Sequence, residues 1–205
     1  MTIQGNKLTG MLLYTSIQEP QDCFDKAKGR EWKVSVVVDE DTADAFEAQF
    51  PKQAAKKIKR AEFEKKFGVQ PPEGDDKNLF IITLRRNTMI NDKENKGQKK
   101  PVPPQYRPKL FQRQGATLVD ITNDFLVANG SMGQVSFDVM DNSEYGPSAR
   151  LKNVLVTTLI PYEKGSSDPG SEFDEEDSGA EQEVKKPAAK TRKAVAAEPE
   201  ADAPF

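Results

Sequence analysis

Histidine does not occur once in the 205 residues, and that omission removes a large share of enzyme chemistry. Ser–His and Cys–His nucleophile pairs, His-ligated zinc and histidine–metal nucleases are all excluded. The single cysteine, Cys23, has no partner for an intrachain disulfide and belongs to no cysteine cluster that could hold a metal. No apolar run approaches the ~20 residues needed to span a bilayer, and the chain does not start with a basic segment leading into an apolar one. The expectation is a soluble protein of a reducing compartment. No catalytic residues, cofactor or metal, and no enzymatic activity, are expected.

Apolar residues are also scarce, at 36% against 31% charged, which suits a globular part diluted by segments that cannot bury a core. The charges divide unevenly. Residues 1–162 hold 24 Lys and Arg against 21 Asp and Glu, whereas residues 163–205 hold 6 against 12. A mildly basic body of +3 is therefore followed by an acidic stretch of −6. That stretch opens on Gly165-Ser166-Ser167, carries an acidic block from Glu172 to Asp177 and a Lys/Ala/Pro patch from Lys185 to Lys193. It is expected to be a disordered tail. Its end, Asp202-Ala203-Pro204-Phe205, sets one bulky ring beside the terminal carboxylate. Such a ring has no neighbours to bury it, so Asp202, Pro204 and Phe205 suit a basic-rimmed apolar pocket on a partner.

Residues 1–162 read mainly as strand. Glu31 to Asp39 alternates with Trp32, Val34, Val36 and Val38 in phase, and Gln134 to Met140 does the same through Val135, Phe137 and Val139. Met11 to Ile17, Asn78 to Arg86, Lys109 to Arg113, Ala116 to Ile121 and Arg150 to Pro161 complete the set. Strands at this spacing, broken by Gly, Pro and Asn, imply a small barrel or sandwich. One helical insertion interrupts them. Thr42 is placed as its N-cap, Pro51 kinks or restarts it, and Lys52 to Phe67 continues it along an Ala54, Ile58, Ala61 stripe to Gly68. Asn87 to Pro108, rich in Lys and Pro, reads as a long basic loop without structure of its own.

Aromatics interleaved with basic residues are the raw material of single-stranded nucleic-acid binding, in which cations track phosphates and exposed rings stack on unpaired bases. The candidates are Trp32 with Lys33, Arg85 with Arg86, Lys99 and Lys100, Tyr106 with Arg107, and Phe111 between Lys109 and Arg113. Phe80 and Phe137 sit in apolar phases and read as core. Trp32 is open between core and platform. The lysines of 52–66 suit either a solvated face or a phosphate track. Two other classes remain. Asp75-Asp76-Lys77 and Glu94-Asn95-Lys96 have the acid-x-Lys spacing of a metal-dependent nuclease, and an acidic-tailed protein-binding adaptor would also fit the charge layout.

The stretch Val127 to Phe137 with its Asn129-Gly130-Ser131 turn, then Tyr145-Gly146, then Ala149 to Val156 with its Leu-x-x-Val-x-Val strand, resembles the C-terminal half of phage-encoded single-stranded-DNA-binding proteins. The ending Asp202-Ala203-Pro204-Phe205 resembles the tip of bacterial single-stranded-DNA-binding proteins. The likeness covers about residues 109–162 and the last eight. It implies a mainly β fold, an OB-fold five-stranded barrel with a helical insertion and a long basic loop over residues 1–162, and a protein-docking tail over 163–205. It further implies coating of single-stranded DNA in phage replication, recombination and repair, in the cytoplasm of the infected bacterium. The expected partners are single-stranded DNA, a polymerase, helicase or primase reached through the tail, and a second copy as a homodimer, with no membrane.

Overall fold

The two faces of each strand go to different places, and that sorting builds the fold. The structure is a computed structural model and describes residues 5–23, 29–92, 95, 97–141 and 146–162. Its strands are β1 (Lys7–Asp22), β2 (Arg30–Val38), β3 (Lys56–Lys59), β4 (Asn78–Asn87), β5 (Met89–Asn91), β6 (Lys99–Pro101), β7 (Leu110–Gln114), β8 (Thr117–Asp120), β9 (Met132–Met140) and β10 (Ser148–Thr158). The helices are α1 (Glu40–Gln49) and α2 (Arg60–Phe67). Eight strands form one sheet in the order β3-β4-β2-β1-β9-β10-β7-β8, and β5 and β6 pair as a separate hairpin. All pairs are antiparallel except β7 with β10.

In β2 the even-numbered Trp32, Val34, Val36 and Val38 enter the main core, and in β4 Phe80, Ile82 and Leu84 join them. The opposite phase, Val37 in β2 and Leu79 and Ile81 in β4, enters a second cluster on the outer side. A pleated strand sends alternate side chains to opposite faces, so one sequence feeds both layers. The inner cluster is completed by Leu12, Val135, Phe137, Leu151 and Val154. Phe46 of α1 and its C-cap residue Phe50 also enter it, their rings 6.0 and 5.6 Å from Phe137. The outer cluster is closed by Phe63 and Phe67 of α2 lying over Met11, Leu13, Val37, Ile58, Leu79 and Ile81.

The strands β4-β2-β1-β9-β10 make a curled five-strand core, an open barrel in which β10 comes back beside β4. Curling brings backbones so close that side chains are excluded at one cross-strand pair, Gly10 of β1 opposite Gly133 of β9. A Cβ on Gly10 would stand 2.0 Å from the Val37 carbonyl oxygen, and one on Gly133 2.6 Å from that of Leu155. Among the described residues no ladder joins β4 to β10, and side chains span that gap. Arg86 Nη1 donates to the Leu151 carbonyl at 3.2 Å. Gln53 uses both ends of its amide on the backbone of Ala149, at 3.0 and 2.5 Å.

The mainly β expectation describes this fold, and three local expectations need correction. The first helix is capped by Asp39, whose carboxylate accepts from the Thr42 N–H at 2.8 Å, so Thr42 lies inside the helix. Lys52 to Lys59 is not helical. Lys56–Lys59 is β3, because pairing Ile58 opposite Leu79 buries it in the outer cluster, whereas Ala54 and Ala61 are exposed. The short α2 buries Phe63 and Phe67, one turn apart, and ends at Gly68 with φ 69°. The basic loop after Asn87 holds the β5–β6 hairpin and a 3-10 turn over Pro104–Tyr106.

Gly10→Ala is expected to destabilise the fold by about 1–3 kcal/mol, the usual cost of overpacking. Gly115→Ala, at φ 60° with open space around it, is expected to cost about 1 kcal/mol. Urea unfolding of both variants measures the difference.

Candidate nucleic-acid interface

Helix α2 has only eight residues and covers only part of the outer face. Beyond the Val37–Ile81 pair, the same phase of β2 and β4 continues as Ser35 opposite Thr83, then Lys33 opposite Arg85. The two hydroxyls lie 2.9 Å apart. Ser16 of β1 stands opposite Lys33 on the other side, so hydroxyls and cations follow where the apolar residues stop. Arg85 is held by Glu31, with Nη1 3.3 Å from Oε1, yet its side chain stays 52% exposed. A buried carboxylate thus aims a guanidinium that still faces water.

An aromatic cleft of about 620 Å³ adjoins this row, lined by Tyr14, Ser16, Gln18, Phe67, Asn129 and Tyr162 among others. Tyr14 sits in a break of the β1–β2 ladder with φ 50°, a conformation that non-glycine residues seldom adopt. Asn129 holds it there. Its Oδ1 accepts the Tyr14 N–H at 2.8 Å and its Nδ2 donates to the Phe67 carbonyl at 3.3 Å. The two rings that it ties meet edge-on at 5.7 Å. Gly130, at φ 93°, donates its N–H to Leu12, so the Asn-Gly-Ser turn is laced along β1. Tyr14 and Tyr162 remain 44% and 54% exposed.

Cations surround these rings. Lys33 Nζ lies 5.9 Å from the Tyr14 ring centre and Lys66 Nζ 5.7 Å from that of Phe67. The positive charge of nearby Lys56 pushes the Lys66 ammonium below the usual lysine value, so two like charges stand where an anion would relieve them. A second groove, of about 770 Å³, lies on the far side of the row, lined by Arg85, Arg86, Met89, Ile90, Asn91 and Arg150 among others. Ser16 lines the cleft and Arg85 lines the groove, so the Ser16–Lys33–Arg85 row joins the two.

The chain's structural neighbours are phage single-stranded-DNA-binding proteins. It is similar to gp2.5, a single-stranded DNA binding protein encoded by bacteriophage T7, at 16% identity over 85% of this chain and 98% of that one, with a TM-score of 0.43. It is also similar to the single-stranded DNA-binding protein from bacteriophage Enc34 in complex with ssDNA, at 13% identity over 77% and 88%, with a TM-score of 0.41. No protein-family model matches the sequence, and no curated protein does.

Of the residues singled out from the sequence, Lys33 and Arg85 fall on the outer face, Arg85 exposed and Lys33 half-buried. Two need correction. Trp32 is in the inner core at 7% exposure, because it takes the same phase as Val34 and Val36, and its ring is not a surface platform. Arg86 spans the barrel gap with its side chain largely buried, 3.5 Å from Asp138. Burial and the charge of Arg150 push its guanidinium below the usual value, against the pull of Asp138. Lys100 is paired with Asp92 at 2.9 Å in the β5–β6 hairpin, where Lys99 is exposed. Tyr106 is 59% exposed in its 3-10 turn, and Arg107 Nε donates to the Val102 carbonyl at 3.4 Å.

Lys109, Phe111 and Arg113 lie on or just before β7, away from the Lys33 row in the strand order. Phe111 is half-buried and lines a small hollow with Leu118 and Leu155, Arg113 is exposed, and Lys109 pairs with Asp120 at 2.8 Å. Asp202, Pro204 and Phe205 lie outside the described residues. Among the described residues no three Cys, Asp or Glu side chains converge to hold a metal. Sequence reasoning missed Tyr14, Phe67 and Tyr162. The one available signal was Asn129, whose turn motif stands out in sequence but whose contacts to Tyr14 and Phe67 span 115 and 62 residues.

The Asp120 carboxyl is held below the usual carboxylate range by hydrogen bonds from Lys109 and then Thr122. A depressed folded value means that this contribution is fully present above the unfolded value of about 4 and is lost as pH falls through the folded one. Asp120 is partly exposed, so the contribution is at most about 1 kcal/mol. Asp120→Asn is expected to be less stable than wild type near neutrality, with the two urea-unfolding curves converging in acid.

Proposed function

We propose that this chain binds single-stranded DNA along the Ser16–Lys33–Arg85 row, with bases stacking in the aromatic cleft at one end and phosphates meeting the arginine-lined groove at the other. The observation that carries this is the polar half of the outer face, where Arg85 is exposed and Lys33 half-buried beside the buried hydroxyls of Ser16 and Ser35. Apolar residues would be expected to continue along it under a longer helix, and instead it changes to hydroxyls and cations beside exposed rings. Unpaired bases offer ring faces and a flexible polyanion, and the cleft and row match both. The biological role that fits is coating of single-stranded DNA during phage replication, recombination and repair, in the cytoplasm of the infected bacterium.

Titration with oligo-dT and with duplex of equal length, across several salt concentrations, tests the binding. Single-strand preference is expected, with a salt slope that Lys33→Ala or Arg85→Ala each lowers by about 1. Tyr14→Ala is expected to weaken binding by about 1–3 kcal/mol while leaving the salt slope unchanged. Absence of oligo-dT binding at about 50 mM salt, where phosphate contacts are strong, would sink the proposal and favour a protein-binding adaptor.

For residues 163–205 the proposal is recruitment. Asp202, Pro204 and Phe205 would offer an apolar ring framed by negative charge to a replication polymerase, helicase or primase. The −6 charge of the same segment, tethered to a basic row, would compete weakly with DNA at high effective concentration. A chain ending at Tyr162 is then expected to bind oligo-dT more tightly than the full chain at low salt. Equal affinities across the salt range would remove the competitor role.

A further inference from the structure

The segment after α1 carries more positive charge than it neutralises. On β3 and α2, Lys56, Lys57, Lys59, Lys65 and Lys66 are all exposed. Lys59 has a partner in Glu62 at 3.7 Å. Lys57 stands opposite Phe80, with its Nζ 5.3 Å from that ring centre. Lys56 takes the other phase, opposite Ile81, and so lies on the outer face beside α2. There it meets Lys66, and the two side chains are within hydrogen-bond reach. Among the described residues neither pairs with a carboxylate. Glu62 pulls on Lys66 less strongly than Lys56 repels it, and Glu64 is two residues away on another side of the helix. Cations in the last turn offset the negative end of a helix, which accounts for Lys65 and Lys66. Lys56 comes from a strand and only adds repulsion, so its place beside Lys66 calls for an anion.

We propose that Lys56 and Lys66 clamp one backbone phosphate of a DNA strand leaving the aromatic cleft, so that the strand turns across the end of α2 toward β3. The route is continuous. Tyr14 and Phe67 line the cleft and meet edge-on at 5.7 Å. Lys66 Nζ stands 5.7 Å from the Phe67 ring centre, with Lys56 next to it. A phosphate offers several acceptor oxygens to two groups that can only donate. Ile81, opposite Lys56, and Arg85 lie on the same strand, roughly 13 Å apart at the rise of a β-strand. The clamp and Arg85 therefore meet different phosphates, and the footprint of the bound strand extends to the β3 edge of the sheet.

The clamp rests on the single-stranded-DNA reading, and its test separates the two. The full chain is titrated with oligo-dT across several salt concentrations. Lys56→Gln and Lys66→Gln are each expected to weaken binding by about three- to tenfold, and the double variant to lower the salt slope by about 1. Lys65→Gln removes the same charge one residue away and is expected to bind as wild type does. Lys56→Gln is also expected to keep or raise the urea midpoint, because it relieves a like-charge contact; a lysine with a purely structural role would lower it. Acetylation read by mass spectrometry gives a second measure, with oligo-dT expected to protect Lys56 and Lys66 and to leave Lys65 reactive. Equal losses in Lys65→Gln and Lys66→Gln overturn the clamp in favour of a diffuse positive field. Unchanged binding in Lys56→Gln and Lys66→Gln also overturns it, and leaves the row and cleft standing if Lys33→Ala and Tyr14→Ala still weaken binding. Failure of wild type to bind oligo-dT overturns both proposals together.

Discussion

The structure depends on one constraint: each strand of the curled sheet must serve two faces at once. On the inner side β1, β2, β4, β9 and β10 close over a single apolar core, with Arg86 at its open edge. On the outer side only the stretch under α2 is apolar. Eight residues of helix bury two phenylalanines, and their reach ends at Val37 and Ile81. Past that limit the outer phase turns polar, with Ser35 buried, Thr83 and Lys33 half-buried and Arg85 exposed. The proposed interface is the part of the sheet that the helix does not reach.

Charge is divided between building the fold and facing solvent. Arg86 bridges the gap between β4 and β10 with the help of Asp138, and Gln53 gives Ala149 the two hydrogen bonds that a neighbouring strand would have made. Without them the barrel edge would leave backbone groups unpaired, which is costly where water is excluded. One residue earlier, Arg85 points to the opposite face and keeps half its side chain in water. Adjacent arginines on one strand therefore have opposite roles because the pleat turns them opposite ways. Asn129 makes a similar link between turn and site, holding a strained Tyr14 where its ring is exposed. Strain of this kind persists only when the surroundings fix it, and it gathers at working surfaces.

Alternation in Glu31–Asp39 and Gln134–Met140 was enough to recover β2 and β9, because burial on the inner face imposes a period of two on those residues. The core positions of Phe80 and Phe137 followed from the same signal. The stretch 52–59 was misread because lysines and alanines suit a helix locally, whereas pairing Ile58 opposite Leu79 is worth more once the sheet exists. Trp32 shows the limit within a correctly placed strand. Period two puts Trp32 in the inward phase of Val34 and Val36, but does not say whether that phase is still covered at a strand end.

By itself the sequence determined the chemistry available: no histidine, one cysteine, alternating strands, a basic body and an acidic end. Composition and local periodicity are properties of neighbouring residues, so they survive without a fold. The tertiary structure decided which cations are spent on closing the barrel and which stay exposed. It also brought Tyr14, Phe67, Asn129 and Tyr162 to one cleft from distant parts of the chain. That convergence is set by strand order, by a bulge and by the length of one helix, and no window of sequence contains all three.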